Sequence, residues 1–175
     1  MNIIAGKYKR RKLNYPNDRS FRPTKSMVRE AVFSKIGFNI EGASFLDLCA
    51  GSGAMGLEAE SRGAEKVVCV DKDIQYLKKN VTVLNAKIDV VRMDVIRYLK
   101  TVKQGLFDFI YFDPVWADHD IYASGLDIIF ERQLVTAGGM IMVEHDRFMI
   151  FTDDYLNQRL SVKKYGQSYL SIWLV

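Results

Sequence analysis

The segment Phe45-Leu46-Asp47-Leu48-Cys49-Ala50-Gly51-Ser52-Gly53 constrains the fold more than any other part of the chain. A short apolar run ends in a tight glycine turn, and a helical pattern starts at once. Gly51 and Gly53 carry no side chains, so a ligand can approach the backbone closely there. The helix behind them offers unpaired N–H groups at its amino terminus. Such a turn is the joint of a strand–helix unit, and the pattern repeats. Apolar strands are predicted over 44–49, 66–71, 88–94, 107–113 and 139–144, separated by helices over 53–62, 73–86, about 95–103 and 121–135. In the second of these helices Ile74, Leu77, Val81 and Leu84 keep an amphipathic spacing. After a weak helix over 154–158, strands over 160–165 and 169–175 flank a turn at Gly166-Gln167-Ser168. Near-continuous apolar strands alternating with helices imply an α/β, doubly wound, mostly parallel seven-stranded Rossmann-like sheet. Its closing antiparallel hairpin should give it an antiparallel edge strand.

Ahead of the sheet, Val28, Val32 and Ile36 recur every four residues. A helix is expected from Thr24, which can cap it, to Gly37, which stops it. Residues 2–15 suit a short hairpin. A chain of 175 residues holds one domain plus such an extension. The expected boundary separates a small basic extension of hairpin and helix, 1–37, from a sheet domain, 38–175. No run of 18 apolar residues is present, and the amino terminus lacks the apolar core of a signal peptide. Cys49 and Cys69 fall in predicted buried strands. They read as apolar fillers in a reducing, cytoplasmic setting rather than as a disulfide or metal pair. A monomer without metal is expected.

The net charge of +4 hides an asymmetry. Residues 1–35 hold ten basic residues against two acids, and the remaining 140 residues carry −4. A basic segment on a mildly acidic body suits a polyanionic partner. Tyr8, Tyr15 and Phe21 between the charges suit base stacking. The competing reading is a solvated terminus.

Gly51-Ser52-Gly53-Ala54-Met55-Gly56 also fits the dinucleotide pattern, and Asp71 lies 20 residues after Gly51, where a ribose-binding acid belongs. The turn alone therefore indicates an adenosine-containing cofactor without choosing one. Asp47, at the strand end, suits an amino-acid ammonium and would repel phosphates. Asp94 and the Val95 N–H suit an adenine edge. The chain has no residues to spare for a dehydrogenase's substrate domain. These features favour S-adenosylmethionine, although Asp71 and Asp94 also precede helices and could simply cap them.

Phe107-Asp108-Phe109-Ile110-Tyr111-Phe112 then runs into Asp113-Pro114-Val115-Trp116. Proline fixes its own φ and extends the residue before it. The Asp113 carboxylate and the Pro114 carbonyl can accept hydrogen bonds from an amino group, and Trp116 can stack on the ring that carries it. The plain alternative is a strand ending in a proline turn.

These residues resemble a known family. The sheet looks like a class I S-adenosylmethionine-dependent methyltransferase. Asp113-Pro114-Val115-Trp116 resembles the (Asp/Asn)-Pro-Pro-aromatic signature of enzymes that methylate exocyclic amines. The whole chain resembles the RsmD family of 16S ribosomal RNA guanine-N2 methyltransferases. Ile3-Ile4-Ala5-Gly6, Arg11-Lys12-Leu13, Arg22-Pro23-Thr24 and Val28-Arg29-Glu30-Ala31-Val32-Phe33 look like that family's opening, and Asp47 to Ala59 follow its cofactor motif. Val115 departs from it, standing where the family has a second proline.

The resemblance implies Asp113, Pro114 and Trp116 as the catalytic group. It implies Asp47, Ala50, Gly51, Ser52, Gly53, Asp71, Lys72, Asp94 and Val95 as cofactor contacts. Lys7, Lys9, Arg10, Arg11, Lys12, Arg22, Thr24 and Arg29 would meet RNA, as free ribosomal RNA or within a small-subunit particle. The rival readings are a DNA adenine-N6 or cytosine-N4 methyltransferase and a non-catalytic cofactor- or RNA-binding module.

Overall fold

The computed structural model describes residues 1–16 and 26–175. Helix α1 (Ser26–Ile36) and a 3-10 turn (Gly37–Ile40) lead into β1 (Ser44–Leu48) and α2 (Ala54–Ser61). There follow β2 (Lys66–Asp71), α3 (Gln75–Leu84), β3 (Asp89–Arg92), α4 (Val95–Leu99), β4 (Phe107–Phe112) and α5 (His119–Glu131). The chain closes with β5 (Val135–His145), α6 (Asp153–Gln158), β6 (Arg159–Tyr165) and β7 (Ser168–Leu174). Thr24, the expected cap of α1, lies outside the described residues, as do Phe21 and Arg22.

One seven-stranded sheet has the order β3-β2-β1-β4-β5-β7-β6. Strands β1 to β5 pair in parallel, and β7 runs antiparallel to both β5 and β6. The edge strand at this end is β6, which pairs antiparallel with β7 as the closing hairpin led one to expect, and β7 lies one place inside it. The reason is burial. β7 carries Trp173, Ile172 and Leu170 into the core, whereas β6 buries none of its residues and exposes Lys163 and Lys164, charges that protect an unpaired edge.

The alternation of apolar side chains along each strand feeds two cores. Val28, Val32 and Phe33 of α1, Met55 of α2 and Leu77 of α3 pack on Phe45, Phe109 and Met142. Leu99 of α4 and Tyr122, Leu126 and Ile129 of α5 pack on Leu46, Ile110 and Val143. The winding reverses between β1 and β4, so the loops after these two strands flank the switch point, the usual ligand crevice of an open α/β sheet.

Residues 1–16 are tied to this sheet domain. Ile3, Tyr8 and Leu13 are buried against Ala54, Leu57 and Leu84. Glu58, fully buried on α2, accepts from the N–H groups of Ile4 (2.8 Å) and Ala5 (2.9 Å) and from Arg62 Nε (2.8 Å). Ser61 O accepts from Lys7 N at 2.8 Å, and Ser61 Oγ from Tyr8 N at 2.9 Å. Gly6 has φ +77°, and a Cβ there would stand 1.7 Å from Ser61 O, so only glycine fits. Tyr8 is consequently a core residue and not a stacking platform.

Candidate active site

A cavity of about 690 Å³ opens at the switch point, a size typical of small-molecule sites. Its first wall is the turn after β1. Ala50 N donates to Val70 O (3.0 Å), Gly53 N donates to Ala50 O (2.7 Å) and Gly51 N donates to Asp71 Oδ2 (2.8 Å). The turn is thereby stitched to β2, and Ala50, Gly51, Ser52, Asp71 and Lys72 all line the cavity. Cys49 does not belong to β1. It takes φ +62° just beyond the strand and lines the cavity, and burial together with Asp71 and Asp113 pushes its thiol pKa up. Cys69 is buried, as expected.

Three of the expected cofactor residues, Gly53, Asp47 and Asp94, are not part of the lining. Gly53 has φ +79°, and a Cβ there would meet Leu77 Cδ1 at 2.3 Å, so its smallness serves packing of α3 against the turn. Asp47 is buried beneath the turn, where Oδ2 accepts from Gly56 N at 2.9 Å and from the Cys69 thiol at 3.9 Å. Burial, with Asp71 nearby, raises its pKa to about 7. An ammonium in the cavity would not touch it, so Asp47 supports the turn and the expectation of a direct contact is corrected. Asp94 caps α4, accepting from Arg97 N at 3.0 Å, and pairs with Lys72 Nζ at 2.9 Å. That pairing lowers the Asp94 pKa and raises that of Lys72. Val95 lines the cavity next to it. Asp73, Tyr76, Met93 and Ile121 also line it. Of these, Asp73 and Met93 follow strand ends, the signal that could have found them.

The second wall is the loop after β4. Asp113 N donates to Leu48 O at 3.3 Å, extending the β1–β4 ladder one step and holding Asp113 beside the glycine turn. Pro114 is buried, Trp116 half-buried against the second core, and Val115 is 76% exposed. All four line the cavity. Tyr122 Oη lies 3.2 Å from Pro114 O and 3.0 Å from Glu144 O. A hydroxyl donates one proton, and a carbonyl oxygen has two lone pairs, so Pro114 O retains an acceptor site. Burial, then Asp113, pushes the Tyr122 pKa well up, keeping it a donor.

Among the described residues, the lining holds Asp71, Asp73, Asp113 and Asp118 against one cation, Lys72. Such a surface attracts a cationic ligand and disfavours a pyrophosphate. The residues present therefore fit a sulfonium-bearing adenosine cofactor better than a dinucleotide.

Of the expected RNA contacts, Lys7, Lys9, Arg10, Arg11 and Lys12 are exposed on the hairpin. Lys7 pairs with Glu60 and Arg11 Nη2 donates to Val83 O. Arg29 does not join them. It is buried, 3.7 Å from Glu58 Oε2, with Nη2 donating to Asn2 O at 3.0 Å. It fastens the hairpin to α1 and cannot reach a phosphate. Arg22 and Thr24 lie outside the described residues. His119 is exposed outside the cavity lining, and His145 is buried between Asp146 O and Ser171 Oγ.

A glycine turn and an Asp-Pro loop facing each other across the switch point of a sheet in this order, with an inserted antiparallel β7, are the architecture of a Rossmann-like methyltransferase. The chain belongs to the family described as Conserved hypothetical protein 95, whose model matches residues 1–174, the RsmD-like family that its sequence resembles. A Bacillus subtilis protein, YlbH, whose name assigns it provisionally to the rRNA methyltransferases, is 38% identical over 84% of this chain and 83% of its own. Ribosomal RNA small subunit methyltransferase D of Haemophilus influenzae is 31% identical over 83% of this chain and 78% of its own. A solved structure of the Thermus thermophilus hypothetical protein TTHA0928 superposes with a TM-score of 0.83 at 27% identity, covering 100% of this chain and 99% of that one. The Thermus thermophilus 16S rRNA N2 G1207 methyltransferase RsmC, in complex with AdoMet and guanosine, superposes with a TM-score of 0.72. It shares 20% identity over 90% of this chain and 44% of its own, and so speaks to the fold.

Proposed function

We propose that this chain transfers a methyl group from S-adenosylmethionine to the exocyclic N2 of a guanine in small-subunit ribosomal RNA. The observation that carries the reading is the shared cavity: Asp113, Pro114 and Trp116 line the same space as Ala50, Gly51 and Asp71. The relatives named as ribosomal RNA small subunit methyltransferases support the substrate class.

In this reading Asp71 holds the cofactor ribose, Lys72 and the Asp94–Val95 step border its adenine, and the backbone from Ala50 to Ser52 cradles the methionine part. When bound, S-adenosylmethionine supplies an electrophilic methyl carbon on a sulfonium. The chain's own residues act on the acceptor. A guanine N2 is a weak nucleophile because its lone pair is delocalised into the ring. Asp113 and the free lone pair of Pro114 O accept its two N–H bonds, which favours the pyramidal nitrogen and frees the pair for attack. The Asp113 carboxylate stabilises the positive charge that develops on nitrogen, and stacking on Trp116 fixes the line of approach. A guanine stacked in a helix cannot enter, so the substrate is an unpaired or extruded base.

Asp113→Ala is expected to lower methyl transfer to small-subunit RNA by about a thousandfold or more. S-adenosylmethionine affinity by calorimetry should stay within about threefold, because the glycine turn is untouched. Unchanged turnover in this variant, or a loss of turnover fully accounted for by lost cofactor binding, would contradict the assignment.

A further inference from the structure

We propose that the Arg147–Phe148 turn, continued by Lys164 and Tyr169, is a track for the unpaired RNA strand that flanks the target base. It rests on the RNA-methylating reading and adds the surface that holds the strand. The placement follows from strand register. Phe112 pairs with Val143, so Asp113 and Glu144 stand level at the carboxyl edge. Tyr122 Oη contacts both Pro114 O and Glu144 O, so one hydroxyl joins the two loops. One strand further out His145 pairs with Tyr169, and beyond it Tyr169 pairs with Lys164. The loop after β5 and the β6–β7 end thus continue the edge that begins at Asp113.

The turn is built to present what it carries. Asp146 Oδ1 accepts from Phe148 N (2.9 Å) and Met149 N (3.0 Å), fixing the backbone as an Asx turn. Phe148 is left 61% exposed, although Phe151, three residues on, is buried to 4%. The loop can bury an aromatic ring and does not bury this one. The Arg147 guanidinium stands 4.5 Å from the Phe148 ring centroid. Further along, Lys164 Nζ stands 5.9 Å from the Tyr169 centroid, and Lys164 is exposed. An exposed Phe148 ring and a half-buried Tyr169 ring, each with a cation beside it, offer what a flexible polynucleotide needs: a stacking face for a base and a charge for the neighbouring phosphate. The cavity itself is acidic, so these cations have no role toward the methyl donor.

Binding of a fluorescein-labelled single-stranded oligoribonucleotide, followed by anisotropy at several salt concentrations, tests the track. Arg147→Ala/Phe148→Ala should weaken binding roughly tenfold or more, and its salt slope should be shallower by about 0.7. Phe148→Trp should restore most of the stacking part. Lys164→Ala should cause a smaller loss, and S-adenosylmethionine affinity should be unchanged in every variant. Equal RNA affinity and equal salt slope for the native and double-variant chains would overturn the proposal. So would lost activity on an assembled particle with full affinity for naked RNA, which would assign the turn to a protein contact. If the native chain methylates ribosomal RNA and the double variant does so equally well, the track fails alone. If the native chain neither binds nor methylates RNA, the proposed function fails with it.

Discussion

The amino-terminal hairpin and the carboxyl edge of the sheet both carry positive charge, and they use it differently. On the hairpin side, buried acids of α2 meet the extension directly. Glu58 accepts from Ile4 N, Ala5 N and Arg62 Nε, with Arg29 close by, and Glu60 holds Lys7. Part of the basic surplus there is structural, a clamp between the extension and α2. At the carboxyl edge no acid contact accompanies Arg147 or Lys164 among the ion pairs of the described residues; each cation lies beside a ring instead. Charge that anchors is paired with buried carboxylates, whereas the charge proposed to meet a partner has no acid partner among the ion pairs of the described residues. A count of lysines and arginines along the chain cannot distinguish the two.

The comparison can be broken most forcefully at Gly6. Gly6→Ala forces a methyl group into Ser61 O and is expected to cost about 3 kcal/mol or more, read as a lowered midpoint in urea unfolding. A midpoint unchanged within error would mean that the hairpin is not clamped.

A smaller effect contrasts the two kinds of buried acid. Glu58 has three donors, whereas Asp47 has one N–H and a thiol, and its pKa rises to about 7. Below the ordinary value of 3.8, folded and unfolded chains both hold the proton. Between 3.8 and about 7 only the folded chain holds it, so this group's contribution to stability falls as pH rises and levels off above 7. Asp47→Asn, which keeps an acceptor for Gly56 N, removes that dependence. Its stability relative to the native chain should grow by on the order of 2 kcal/mol between pH 4 and pH 8. A pH-independent difference would contradict the burial cause.

The smallest effect belongs to the exposed hairpin cations. Lys9→Ala/Arg10→Ala/Arg11→Ala should leave stability within about 0.5 kcal/mol but make the salt slope of RNA binding shallower by about two. An unchanged slope would confine RNA to the carboxyl edge.

Much of the architecture was legible because strand burial and helix periodicity agree: β2 matches its expected span residue for residue. The disagreements have local causes. β5 begins at Val135 rather than Gly139, because Gly138 (φ +82°) and Gly139, whose Cβ would meet Asp108 O at 2.4 Å, pass through an irregular pairing within the strand instead of preceding it. α5 ends at Glu131 because Gln133 takes φ +49°, a reversal that no glycine announced. At the site, Asp113 and Gly51 could be named from motifs that are contiguous in sequence. Whether Asp47 faced the ligand or the turn behind it could not, since both positions follow the same strand end. Arg147 and Phe148 lie in the turn after β5, Lys164 in β6 and Tyr169 in β7, and only the sheet register aligns them.

The most direct test is to incubate the protein and isotopically labelled S-adenosylmethionine with small-subunit RNA or particles from cells that lack this chain, then digest and identify the labelled nucleoside by mass spectrometry. Label on the exocyclic nitrogen of guanosine at one position, absent with Asp113→Ala, is the expected result. Label on another base, no label on the RNA, or label equally present with Asp113→Ala would contradict guanine-N2 transfer in the cavity between the glycine turn and the Asp-Pro loop.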